Sequence, residues 1–283
     1  MRTVTCTAIA AALILMAPAC KQQETAASNE PAAATTEAAA TDISVLNGTW
    51  KTDRDSVKFE GKPDEFVLKD GKFTCSTCIP PVDLVADGQF HEVTGRPYAD
   101  HMSIKAVDDK SLEWKSQKGG RDTFAATFSV SADGNTLTRK FKDMTTPNAP
   151  PVEGASSSKR VGAAPAGAHA VSGQWMAEHV NEYSEDALNA TYKVEGNKVS
   201  WSGMGQSYTA ELGGPAVPVT GDIGGTTVQV SVEGNGLKEV FTRDGKVVSE
   251  AVTVPSADGQ SVTWTSTDPR DGSKVSGTAK KTS

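Results

Sequence analysis

Several things this chain of 283 residues lacks narrow its possible functions. Aromatic residues make up only 6%, and there are just four cysteines and four histidines. Gly-x-Ser-x-Gly, His-Glu-x-x-His and a phosphate-binding loop are all absent, so common hydrolase, zinc-protease and nucleotide signatures find no support. The histidines, at 91, 101, 169 and 179, are dispersed, and Asp108-Asp109 lacks the ligand spacing of a calcium loop. Basic residues are outnumbered, 28 Lys and Arg against 35 Asp and Glu, for a net charge of −7. A nucleic-acid surface needs clustered cations, and this balance argues against one. The expectation is a protein that is not an enzyme and carries no cofactor or metal.

Apolar runs are short as well. The longest, residues 4–16, follows Arg2 and falls below the roughly 20 residues of a membrane-spanning helix. Its small-residue end fits a secretory leader over residues 1–19. Ala17-Pro18-Ala19-Cys20 resembles the lipobox of bacterial lipoproteins, although Ala17 stands where that family prefers Leu. The resemblance implies lipidation of Cys20, and Lys21 after it implies outer-membrane sorting with the folded part facing the periplasm. An ordinary leader cut at the same bond is the alternative. Residues 20–45 are rich in Ala, Thr and Glu, bury too little to order themselves, and read as a tether to a membrane.

The remainder is punctuated by Asp-Gly pairs at 70, 87, 133, 244, 258 and 271, between short alternating runs such as Phe124/Ala126/Phe128/Val130. This is a hairpin pattern and predicts an all-β chain. The pattern also repeats. Gly48-Thr49-Trp50 answers to Gly173-Gln174-Trp175, Val93-Thr94-Gly95 to Val219-Thr220-Gly221, and Ser131–Gly134 to Ser256–Gly259. The expected domains are therefore residues 46–161 and 171–283, joined by a Gly/Ala/Pro linker at 162–170. The first copy is electrically neutral and the second carries −5. Each copy predicts eight to ten strands, as an up-and-down antiparallel barrel or, alternatively, a β-sandwich.

Gly-x-Trp on a first strand, with a basic residue ending the last, resembles the calycin group that includes lipocalins. There a cation packs across the indole and closes the barrel. The resemblance implies closure of each copy on itself, Trp50 with Lys159 or Arg160 and Trp175 with Lys280 or Lys281. More widely, Gly-Thr-Trp-Lys, Val-Thr-Gly-Arg-Pro-Tyr-Ala-Asp and Ser-Ala-Asp-Gly-Asn-Thr-Leu-Thr resemble an uncharacterised family of exported bacterial β-rich tandem-repeat lipoproteins. That implies fold and export, and points to no established activity.

Three features carry possible chemistry. Cys75-Ser-Thr-Cys78, in an oxidising compartment, predicts a local disulfide. Thiol redox work and metal ligation with His91 and His101 are the alternatives, and the flanking sequence lacks the helix that activates a redox thiolate. In the second copy Trp201 and Met204 replace the pair, so the fold does not need it. Alternation places Arg139 with Leu137 and Phe141 on the inner face, where it would meet an anionic ligand head, or reach water at a barrel mouth. Trp114 and Phe128 are candidates to line a ligand cavity, and otherwise serve as core. The functional expectation is an envelope lipoprotein with a non-enzymatic binding or structural role. The alternatives are a periplasmic carrier of a small apolar or amphiphilic ligand, then a thiol redox protein. Expected partners are the membrane, through the lipid, and a small apolar ligand or an envelope protein.

Overall fold

The computed structural model describes residues 42–283; the expected leader, Cys20 and most of the expected tether lie outside the described residues. No helix among the described residues is long and apolar enough to cross a membrane. Twenty strands follow one another: β1 (Gly48–Glu60), β2 (Asp64–Lys69), β3 (Lys72–Cys75), β4 (Val82–Val85), β5 (His91–Glu92), β6 (His101–Asp108), β7 (Ser111–Lys118), β8 (Arg121–Val130), β9 (Thr136–Asp143), β10 (Val152–Gly162), β11 (Gly173–Tyr183), β12 (Asn189–Glu195), β13 (Lys198–Gly203), β14 (Gln206–Glu211), β15 (Val217–Pro218), β16 (Thr227–Glu233), β17 (Gly236–Arg243), β18 (Lys246–Pro255), β19 (Ser261–Thr267) and β20 (Lys274–Lys281). They form two nearly closed, ten-stranded antiparallel barrels. Asp70-Gly71 and Asp244-Gly245 turn their hairpins with both residues at positive φ, the two-residue turn whose twist matches the flanking strands.

The barrels do not coincide with the repeats. One is built from the contiguous strands β2 to β11, in the order β4-β3-β2-β11-β10-β9-β8-β7-β6-β5. The other takes β1 together with β12 to β20. The first strand of each repeat has thus changed places, and one barrel (the inserted barrel) interrupts the other (the host barrel). The boundaries expected at 46–161 and 171–283 are corrected accordingly: β1 leaves the first unit and β11 joins it.

Link length explains the exchange. In the inserted barrel Asp64 pairs with Trp175, whose repeat equivalent is Trp50. If β1 occupied the place of β11, the chain would have to return from Glu60 to a point beside Trp50. That is ten residues of strand, about 33 Å. The link Gly61–Pro63 spans at most about 14 Å. The same test excludes β11 from the host barrel. Ala190 pairs with Trp50 there, and residues 184–188 are too few to carry the chain back along β11.

The exchange also crosses the barrel closures. Trp175 pairs with Arg160 in register, and the guanidinium lies 4.0 Å from the indole centroid. Trp50 pairs with Lys281, whose Nζ lies 5.2 Å from its ring. The expected residues close the barrels, but with partners opposite to those expected: each Trp meets the cation of the other repeat. Both indoles are almost wholly buried and donate to a carbonyl four residues back, Trp50 Nε1 to Leu46 O at 2.7 Å and Trp175 Nε1 to Val171 O at 2.9 Å. The glycine of each Gly-x-Trp has φ near 128°, and a Cβ there would overlap Arg160 Nη1 and Gly162 O at Gly173, and Ser283 O and Lys281 Cε at Gly48. Arg160 also donates to the carbonyls of Gly134, Ala170 and Ser172 at 2.6–2.8 Å. Among the described residues the Lys281 side chain makes no equivalent bond.

Cys75 and Cys78 form the expected disulfide across a three-residue separation. Its loop is short, so it restricts the unfolded chain modestly, by about 2 kcal/mol.

Candidate functional site

The inserted barrel opens onto the host barrel through a cleft of about 830 Å³. Its inner wall follows from strand register. Met102, Ser116, Phe124 and Asp143 pair across β6, β7, β8 and β9 in one row at the mouth, and Trp114 lies in the next row inward. Met102 is buried, while Trp114 and Phe124 are part-exposed and offer aromatic surface. Trp114 Nε1 donates to Ser116 Oγ at 3.2 Å. The buried Thr123 hydroxyl beside this row has no hydrogen-bond partner among the described residues. Ile79-Pro80 and residues 94–99 form one lip, and the β17–β18 hairpin and Arg270 of the host barrel form the other.

Residues 94–99 belong to the stretch Val-Thr-Gly-Arg-Pro-Tyr-Ala-Asp that carried the wider family resemblance, and its repeat partner lies directly opposite. Tyr98 Oη donates to Asp222 Oδ1 at 2.6 Å and accepts from Arg243 Nη2 at 2.6 Å, with Arg243 4.9 Å from the ring centroid. Asp222 also accepts from Thr226 N at 2.7 Å. Burial and the bond to Asp222 push the Tyr98 hydroxyl up to about 12. Burial raises Asp222, but its bonds from Tyr98 and Thr226 and the Arg243 charge outweigh that and hold it below the usual carboxylate range. This latch fixes the host-barrel lip over the mouth.

The predicted ligand residues divide. Trp114 lines the cleft. Phe128 is buried core, edge-on to Phe66 at 5.7 Å and stacked on Trp114 at 6.2 Å. Arg139 pairs in register with Phe128, so alternation read its face correctly, but it lies outside the cleft. Protein surrounds it on most sides, with Phe141 5.8 Å away and Asp64 its strongest countercharge, yet its side chain keeps a large exposed surface. The exposed surface suits a long cation reaching water, and Arg139 is not among the residues that line the cleft.

A buried cluster escaped the sequence reading. In the host barrel Glu239 is 4% exposed and accepts from Tyr208 Oη at 2.6 Å and Tyr192 Oη at 3.3 Å. Thr253 Oγ1 lies 3.5 Å from Tyr192 Oη. The signal was available, because Leu237, Glu239 and Phe241 share a parity, as Leu137, Arg139 and Phe141 do. Burial raises the Glu239 carboxyl to about 7, against the opposing pull of the two tyrosines. The folded state therefore keeps a proton that the unfolded chain, with an ordinary Glu, releases. Stability is highest below about pH 4.5 for this group and falls as pH rises to 7, by about 3 kcal/mol. Denaturant unfolding at pH 5 and pH 8 should show that loss, and Glu239→Gln should abolish most of it. An unchanged pH slope in the variant would refute the assignment.

The fold and cleft thus define a class: a protein of two strand-exchanged antiparallel barrels with an open cleft where the two meet. No family model, curated protein or solved structure matches the chain.

Proposed function

We propose that the protein is a binding protein for a small, largely apolar molecule held in the cleft between the barrels. The observation that carries this reading is the cleft itself: about 830 Å³, lined by Met102, Trp114 and Phe124 on one side and flanked by the β17–β18 hairpin of the host barrel on the other. That volume falls in the range of sites for compact ligands, which are mostly apolar with a few polar groups. The leader, Cys20 and the tether support a lipid-anchored carrier on the periplasmic face of the outer membrane. Cys75 ends β3 and the next element after Cys78 is a strand, so the pair lacks the helix N-terminus that activates a redox thiolate.

The neutral fluorophore N-phenyl-1-naphthylamine tests the reading. Residues 21–283 should bind one molecule per chain, with saturable fluorescence enhancement. Thr94 is exposed and lines the cleft, so Thr94→Trp fills the space from outside the core. It should weaken binding by at least about tenfold, equivalent to about 1.4 kcal/mol. Absence of saturable binding, or indifference to Thr94→Trp, would overturn the reading.

A further inference from the structure

The cleft is lined by four cations, and their partners differ. Arg270 chelates Asp268 through two N–H groups, Nε at 2.8 Å and Nη2 at 2.5 Å. Arg243 is balanced by Asp222 through the Tyr98 latch. Lys246 is exposed and follows Asp244 in the same hairpin turn. Arg96 differs from these three. Its Nη2 donates to the carbonyls of Pro80 and Pro81, and among the described residues Nε and Nη1 make no hydrogen bond and no carboxylate pairs with it. Asp143, the acid on the opposite wall, is held by Thr145 N at 2.8 Å and Thr145 Oγ1 at 2.6 Å. Arg96 is part-buried, and burial is the one cause acting on its charge, uncompensated by any acid. A partly desolvated guanidinium with N–H groups left on Nε and Nη1, at the lip of a largely apolar cleft, lacks a counter-anion among the described residues, and either group can give an oxyanion a charge-assisted hydrogen bond.

We infer that Arg96 receives the anionic head of a free, single-chain amphiphile whose apolar tail lies against Trp114, Met102 and Phe124. This rests on the binding reading above and deepens it by naming the ligand class. Two neutral carbonyls hold the guanidinium in place, so it needs little reordering on binding. The second repeat carries Asp222 at the position equivalent to Arg96. The anion site therefore belongs to the inserted barrel and not to the duplicated fold.

Isothermal titration of residues 21–283 with decyl sulfate, 1-decanol and decyltrimethylammonium separates the outcomes. Decyl sulfate should bind at least about tenfold more tightly than decanol, and the cation most weakly. Arg96→Gln should bring decyl sulfate and decanol to parity, and Arg96→Lys should keep most of the preference. N-phenyl-1-naphthylamine binding by Arg96→Gln reports whether the lip survives loss of its clamp on Pro80 and Pro81. Equal affinity for decyl sulfate and decanol, or a preference that survives Arg96→Gln, would overturn the anion assignment and leave the binding reading standing. Failure of all three amphiphiles and of the fluorophore would overturn both.

Discussion

Residues 61–184, produced alone, should fold as a monomeric barrel with one cooperative unfolding transition, whereas residues 46–161 should not. The first segment contains all ten strands of the inserted barrel, its aromatic core and its closing pair, Arg160 over Trp175. The second segment follows the repeat boundary read from the sequence. It lacks β11, which covers β10 along most of its length, and leaves β1 without either neighbour, β12 or β20. Its only repair is to place β1 beside β10, and the three-residue link to β2 forbids that unless the second half of β1 melts. Exposed edges and an empty Trp175 site predict a soluble aggregate or molten state. Equal cooperativity and stability for the two segments would refute the exchange.

The second large effect concerns the closing tryptophans. Trp175→Ala should cost about 3–5 kcal/mol, the range for truncating a buried aromatic side chain. Trp175 is 1% exposed, its indole N–H is bonded, and Arg160 covers its face. Trp50→Ala should cost a similar amount, but in the other barrel. Hydrogen exchange locates the damage. Trp50→Ala should speed exchange in residues 189–281 and leave residues 64–183 protected, and Trp175→Ala should do the reverse. Trp50 is at the start of the first repeat, so damage spreading into residues 64–161 would contradict the topology. Lys281→Ala should be much milder than Arg160→Ala. Lys281 supplies a cation–π contact alone, worth about 0.5–1 kcal/mol at an exposed site, while Arg160 also ties three carbonyls.

Local features were the most legible in the sequence. Asp-Gly pairs between alternating runs marked hairpins because both residues accept positive φ at low cost, and Asp70-Gly71 shows it. Cys75 and Cys78 were close enough in sequence for their pairing to follow from compartment and turn. Gly-x-Trp with a terminal cation named the four closing residues but not who closes whom. Similarity between repeats records common ancestry, while strand pairing depends on what the links can reach. The brevity of Gly61–Pro63 was visible and held the answer, but only once the pairing of Asp64 with Trp175 was known. The cleft was legible only in part. Trp114 was named as an aromatic able to line a cavity, but Arg96 and Tyr98 lie in a loop without alternation, and their role arises where a second barrel faces them. Parity placed Arg139 on the right face, but parity does not report how far a long side chain travels. The same parity applied to Leu237, Glu239 and Phe241 would have found the buried acid.

Placing a ligand beside Trp114 is the most direct test of the account. Among the tryptophans, Trp114 alone lines the cleft, so a bromine carried on an apolar chain should quench it by contact. Titration of residues 21–283 with 11-bromoundecan-1-ol should give saturable quenching at one molecule per chain, and Trp114→Phe should remove most of it. Quenching that is absent, does not saturate, or persists in Trp114→Phe would contradict a ligand site between the barrels.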